Sequence, residues 1–328
     1  MKCINKWICL SLLIAVSCVS GCGKTSAVIE QPYDVYATAA DFGLSSNGSA
    51  EAKSYFASDL CVSEDVAIGT DSTDSQVAEG AGTFNLETNT VVYAKNLYER
   101  LYPASTTKIL TAYIALKYCD DLDAMVTVSE NAVNQASDSS VCNLKAGDVI
   151  RLRDLLYGLM LRSGNDAAVA IAEYISGDVD SFAALMNQEA AAMGATRSHF
   201  VNPNGLPDEN HYTCVYDMYL IFQEAIKLQN FVDIIKTDSI DVSYADANGN
   251  TVSKTWTNTN QYLKGETQSP DGITVIGGKT GTTNAAGYCL VLYSQNKKGQ
   301  DIISIVYKGD SRSSMYTLMN EILSTFAK

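Results

Sequence analysis

Histidine is scarce in this chain. His199 and His211 are the only two among 328 residues, and neither sits in a His-Glu-x-x-His pattern, which argues against a zinc peptidase and leaves both as structural residues. No serine lies in a Gly-x-Ser-x-Gly elbow, so a Ser-His-Asp hydrolase that recruits His211 has little footing. Cys-x-x-Cys is absent too, and with it the usual signs of a zinc or redox site. Basic residues are outnumbered, 23 against 37 acidic, giving a net charge of −14 that disfavours nucleic acid partners and keeps the surface soluble. Finally, no stretch reaches the roughly eighteen apolar residues of a membrane-spanning helix.

What is present begins with an export segment. Lys2 and Lys6 precede the apolar run Trp7 to Val19, which has signal-peptide length. The run ends in Val19-Ser20-Gly21-Cys22, which resembles a bacterial lipobox; the alternative is an ordinary cysteine after a signal peptidase site. The small residues before Cys22 and the polar Gly23-Lys24-Thr25-Ser26 after it favour lipidation, which would tether the chain to the outer face of a bacterial membrane without spanning it. Residues 1–22 are thus expected to be a lipoprotein signal, 23–54 a tether, and 55–328 the working domain. Of the nine cysteines, Cys61, Cys119, Cys142, Cys214 and Cys289 lie beyond the signal, an odd set expected to be mostly buried with room for one disulfide.

The 46% hydrophobic content suffices for a sizeable core. Thr83 to Leu86 and Thr90 to Tyr93 read as a hairpin turning at Glu87-Thr88-Asn89, and Ala124 to Val128 as a short extended piece before a polar loop from Asn131 to Gly147. Helical spacing then recurs in Leu152 to Met160, Ala167 to Ile175, Ser181 to Met193 and Val215 to Leu228. Strands return at Asp241 to Tyr244 and Val252 to Trp256 around Asn248-Gly249, then at Ile273 to Thr282, Gly287 to Tyr293 and Asp301 to Tyr307. Ser313 to Phe326 reads as a closing helix. This order predicts an α/β (α+β) fold: one antiparallel sheet built from both ends of the chain, flanked by helices, with a mostly helical subdomain inserted.

Three stretches carry candidate chemistry. In Tyr102-Pro103-Ala104-Ser105-Thr106-Thr107-Lys108, Pro103 suits a helix entry, so the helix is expected to start beside Ser105 and run to about Tyr118. Residues three apart share a helix face, which brings the Lys108 amine beside the Ser105 hydroxyl as a possible base. Alone, Ser-x-x-Lys far more often marks a solvated helix start. In Leu161-Arg162-Ser163-Gly164-Asn165-Asp166, a tight connection between two helices would turn Ser163 and Asn165 into a cleft together, although Ser-Gly-Asn alone is an ordinary turn. In Gly277-Gly278-Lys279-Thr280-Gly281-Thr282-Thr283, three glycines inside a strand imply close approach by another backbone, such as a peptide added to the edge. A P-loop is disfavoured because its first glycine would fall on Ile273.

In order and spacing the three match the signature of penicillin-recognising serine enzymes. Val92-Tyr93-Ala94-Lys95-Asn96, Phe200-Val201-Asn202-Pro203-Asn204-Gly205-Leu206 with His211-Tyr212, and Ala285-Ala286-Gly287-Tyr288 narrow the match further. The chain closely resembles low-molecular-weight penicillin-binding proteins that are serine D-Ala-D-Ala carboxypeptidases, with a β-lactamase/transpeptidase-like fold. The resemblance implies that Ser105 attacks the bond between the terminal D-alanines of a peptidoglycan stem peptide, forming an acyl-enzyme that water hydrolyses. By the same resemblance Lys108 takes the serine proton, Ser163 relays a proton to the leaving amine, and Asn165 holds Lys108 and the substrate backbone. Lys279 and Thr280 would bind the substrate carboxylate, Gly281 would admit the substrate, and the N–H groups of Ser105 and Thr282 would form an oxyanion hole. β-Lactams would acylate Ser105, and no cofactor or metal is implied.

Some positions depart from the family pattern. Arg162 stands where relatives often carry proline, Arg312 is the available carboxylate-binding arginine without a fixed register, and the chain ends soon after the last helix, so lipidated Cys22 would replace a C-terminal anchor. A β-lactamase shares the three motifs but needs a water-activating group, and no Glu-x-x-x-Asn lies between the second and third. A non-turnover β-lactam or muropeptide receptor would need a spanning segment to signal.

Overall fold

The computed structural model describes residues 59–328; the expected signal, the tether and Cys22 lie outside these described residues. In chain order the elements are β1 (Ala78–Asn85), β2 (Thr90–Lys95), a 3-10 turn (Ala104–Thr107), α1 (Lys108–Tyr118), β3 (Met125–Thr127), α2 (Glu130–Val133) and β4 (Val149–Arg151). Then follow α3 (Leu152–Leu161), α4 (Asn165–Ser176), α5 (Val179–Ala192), α6 (Val215–Ile226), α7 (Gln229–Ile235), β5 (Ser239–Ala245) and β6 (Thr251–Thr257). The chain returns through β7 (Ile273–Thr283), β8 (Gly287–Asn296) and β9 (Asp301–Gly309) to α8 (Arg312–Phe326).

The principal sheet has the order β2-β1-β9-β8-β7, antiparallel throughout, so both ends of the chain build it as expected. Its two faces are covered differently. Leu290, Leu292, Ile302 and Val306 pack with Met315, Leu318, Met319 and Ile322 of α8, while Phe84, Val291, Ile303 and Ile305 join the larger core made with α1, α3, α4 and α6. Alternation along each strand thus sends one set of side chains to each helical layer.

Two expectations need correction. β5 and β6 do not extend the principal sheet; they form a second one with β3 and β4, in the order β3-β4-β5-β6. The intervening block is mostly helical, as expected, and carries this small second sheet in addition. Period-two alternation, visible in β6 where Trp256 is buried between exposed Thr255 and Thr257, marks a half-buried strand but carries no label for its partner. Among the described residues the cysteines also form no disulfide: Cys61, Cys142, Cys214 and Cys289 are buried free thiols and Cys119 is a half-buried one. Smaller differences are α2 inside the polar loop and α7 beyond the expected end of α6.

β7 is an edge strand of the principal sheet, and its far edge runs past the 3-10 turn that carries Ser105. A β-carbon added at Gly281 would stand 3.0 Å from the Ser105 nitrogen and 3.1 Å from the Pro103 oxygen. Only glycine lets the strand and the turn approach this closely.

Candidate active site

Ser105 lies on the 3-10 turn immediately ahead of α1, with Ala104 in the left-handed region at φ 47°. The turn is pinned from two sides. The Thr106 hydroxyl is 2.7 Å from the Pro103 oxygen and 2.8 Å from the Tyr307 hydroxyl of β9, and the Thr107 hydroxyl is 2.9 Å from His211 Nε2. His211 Nδ1 accepts the Val201 N–H at 3.1 Å, so Nε2 carries the proton and donates to Thr107. Burial holds His211 down to about 4, which keeps it neutral and makes it a structural clamp.

Lys108 is fully buried at the start of α1. Its Nζ is 3.0 Å from Ser105 Oγ, 2.8 Å from Asn165 Oδ1 and 2.6 Å from the Asn204 carbonyl oxygen. None of these contacts is a carboxylate. Burial, reinforced by the charge of Lys279, holds the amine well below the ordinary ammonium value. In the neutral form its two N–H groups satisfy Asn165 and Asn204, and the lone pair faces the Ser105 hydroxyl.

The second stretch closes α3 and opens α4. Ser163 occupies the left-handed region at φ 58°, a conformation that costs energy for a non-glycine residue and here aims its hydroxyl toward Lys279. Lys279 Nζ donates to Ser163 Oγ at 3.0 Å and to the Thr280 carbonyl at 2.8 Å. Burial brings Lys279 down to about 7. Asp166, also buried, accepts the N–H groups of Cys142 at 2.9 Å and Leu144 at 3.0 Å, while the Asn165 N–H donates to the Ser140 oxygen at 2.8 Å. The loop ahead of β4 is thereby fastened to the first turn of α4.

Ser105, Lys108, Ser163 and Asn165 are thus brought together as the sequence suggests, and Thr280, Gly281 and Thr282 line the same cleft. Lys279 is placed differently from the expectation of direct carboxylate binding. It is only 1% exposed and engaged with Ser163, so its charge acts from behind the cleft wall. Thr280 faces the opening, its hydroxyl 2.7 Å from that of Thr259, and Arg312 at the start of α8 is exposed and lines the same hollow. Arg162, the departure noted above, is exposed at the end of α3.

Three contributors carry little sequence signal. Asn204 acts through its backbone oxygen, Thr259 comes from the connection after β6, and Arg312 gains its place only once α8 is docked. The run Asn202-Pro203-Asn204-Gly205 was the available hint for the first. Its geometry shows why: Asn202 Oδ1 accepts the Gly205 N–H at 2.7 Å, and the Thr111 hydroxyl donates to the Pro203 oxygen at 2.7 Å.

A protein-family model described as D-alanyl-D-alanine carboxypeptidase matches residues 69–311. The chain belongs to the D-alanyl-D-alanine carboxypeptidase family. It is 35% identical over 236 residues to D-alanyl-D-alanine carboxypeptidase DacF of Bacillus subtilis, covering 70% of this chain and 57% of that protein. It is 34% identical over 244 residues to the D-alanyl-D-alanine carboxypeptidase of Streptomyces sp. strain K15, covering 71% of this chain and 81% of the relative. Several curated relatives are thus matched over only about half of their length. The crystal structure of the Streptomyces K15 DD-transpeptidase is similar with a TM-score of 0.70 and 32% identity, covering 75% of this chain and 95% of that one. The carboxypeptidase DacD of Francisella tularensis gives 0.66 and 29%, covering 81% and 73%. Membership fixes the fold as that of the DD-peptidases, in agreement with the two-layered packing around the principal sheet.

Proposed function

We propose that this member of the D-alanyl-D-alanine carboxypeptidase family removes the terminal D-alanine from peptidoglycan stem peptides through an acyl-enzyme on Ser105. The observation that carries the reading is the buried Lys108, poised 3.0 Å from Ser105 Oγ with no carboxylate to hold its proton. In this reading the Lys108 amine takes the Ser105 proton as Oγ attacks the penultimate D-alanine carbonyl. Charge developing on that carbonyl oxygen meets the N–H groups of Ser105 and Thr282, supported by the tight passage of β7 at Gly281. As the peptide bond breaks, Ser163 gives its proton to the leaving amine and regains the one that Lys108 took from Ser105, with Lys279 beside the serine oxygen. Water then takes the acyl group from Ser105 and frees the shortened peptide.

The terminal carboxylate in this scheme meets Thr280 and Arg312, with Lys279 contributing positive potential from behind. β-Lactams mimic the scissile bond and acylate Ser105. The substrate is extracytoplasmic, which agrees with lipidation of Cys22 as the tether. No cofactor enters the scheme. The Streptomyces K15 relative bears both a carboxypeptidase and a DD-transpeptidase name, so transfer to an amine acceptor is the second reading. The test is D-alanine release from a peptide ending in D-Ala-D-Ala, with and without an added amine. Free acid as the product supports hydrolysis, the amine adduct supports transfer, and undiminished release by Ser105→Ala would refute the assignment of the nucleophile.

A further inference from the structure

Ser105 sits between two adjoining hollows that share it with Ser140 and Thr282. Their charges differ. Among the residues lining the first hollow, about 130 Å³, the only charged one is Arg312. The second, about 500 Å³, runs from Ser105 between the loop ahead of β4 and the chain beyond Thr282, and its only charged lining residue is Asp138. The cleft is therefore positive at one end and negative at the other, with the nucleophile between.

Asp138 is exposed and forms no hydrogen bond or ion pair with the described residues. The loop that presents it is nonetheless held in place. The Ser139 N–H donates to the Ala136 oxygen at 3.0 Å, the Ser140 oxygen accepts from Asn165, and Asp166 fastens Cys142 and Leu144. Facing it across the hollow are Thr283, Asn284 and Ala285, which offer no compensating cation. An unpaired carboxylate in a cleft that is otherwise neutral fits a cationic group on the ligand.

Resting on the carboxypeptidase reading, we propose that the second hollow receives the acyl half of the peptide and that Asp138 selects a side-chain amine on it. With the carboxyl terminus drawn toward Arg312, an extended peptide passing Ser105 continues past Thr282 into this hollow at about 3.3 Å per residue. A diamino acid preceding the scissile D-alanine pair carries its amine on a side chain long enough to reach the hollow's rim. The two charges then fix the direction in which the peptide lies, as well as which peptides are preferred.

The experiment compares kcat/KM for release of D-alanine from two peptides, acetyl-L-Lys-D-Ala-D-Ala with a free side-chain amine and its side-chain-acetylated form. The full domain and its Asp138→Asn and Asp138→Lys variants are each assayed at low and high salt. The wild type is expected to favour the free amine about fivefold, as an exposed ion pair allows, with the ratio shrinking in salt. Asp138→Asn should bring the ratio to about one, and Asp138→Lys should invert it. Using a ratio within each variant removes any general loss of activity from the comparison. Release from both peptides at equal rates by the wild type, or a preference that survives Asp138→Asn, overturns the inference while leaving the carboxypeptidase reading intact. Release from neither peptide overturns that reading and the inference with it.

Discussion

Gly205→Ala is the perturbation that most directly probes how Lys108 is held. Gly205 sits at φ +86°, and a β-carbon there would fall 1.8 Å from the Ala104 oxygen and 2.9 Å from the Thr107 hydroxyl. Carbon needs about 3.5 Å, so the loop or the 3-10 turn must move by more than about 1 Å. Either movement separates the Asn204 oxygen from Lys108 Nζ or displaces Ser105 from it, and a misplacement of about 1 Å at a reacting pair costs roughly 100-fold in rate. The backbone penalty adds about 1–2 kcal/mol of instability. Gly249, in the β5–β6 turn, supplies the control: φ is +82° but nothing lies within 4 Å of an added β-carbon. Gly249→Ala should therefore lower Tm by only a few degrees and leave acylation by penicillin at the wild-type rate. Stopped-flow acylation with a chromogenic β-lactam, alongside thermal melts, separates the two variants. If Gly205→Ala acylated as fast as Gly249→Ala, the role given to the Asn204 carbonyl would be wrong.

Other consequences follow from the buried titratable groups. Lys279, brought to about 7 by burial, is charged below that pH and neutral above it, so kcat/KM for a peptide carboxylate should fall as pH rises through about 7. Lys279→Arg, which stays charged, should move that descending limb to higher pH even at reduced rate; a wild-type profile flat across neutral pH would count against the role given to its charge. His211 has a folded value of about 4 against 6.5 for the free side chain, so its contribution is complete above 6.5 and is lost as pH falls toward 4, amounting to about 3 kcal/mol. Tm of the wild type should decline across that window more steeply than Tm of His211→Gln, and parallel curves would contradict the neutral clamp. Asp166→Ala orphans the N–H groups of Cys142 and Leu144 and should cost about 2–4 kcal/mol in a denaturant titration, with slower acylation because the loop beside Asn165 is released. A loss under about 0.5 kcal/mol, typical of neutral surface changes, would show that the loop does not depend on the carboxylate.

The parts of the site that were legible in the sequence are those whose spacing is set by local geometry. Ser105 and Lys108 meet because three residues are nearly one turn, and Ser163 with Asn165 because a helix ends and another begins between them. The glycines of β7 signalled a close approach, which turned out to include this protein's own 3-10 turn. What escaped depends on tertiary placement. The Asn204 contribution is a backbone oxygen, available from any residue type. Lys279 looks like a carboxylate ligand in the motif, yet its burial and its bond to Ser163 emerge only when β7 docks against the α3–α4 connection. The same limit produced the misassigned strands, since β5 and β6 read correctly as a hairpin while the sheet they join is decided by β4.

The central claim is that Ser105 is an acyl-forming nucleophile whose acyl-enzyme with penicillin is slow to hydrolyse. Intact mass followed over time after mixing the chain lacking residues 1–22 with benzylpenicillin tests it directly. A persistent adduct of one penicillin mass is expected, located by peptide mapping on the Ser105 peptide and absent from Ser105→Ala. Rapid disappearance of the adduct with consumption of penicillin would contradict it in favour of a β-lactamase, and an adduct that persists in Ser105→Ala would place the nucleophile elsewhere.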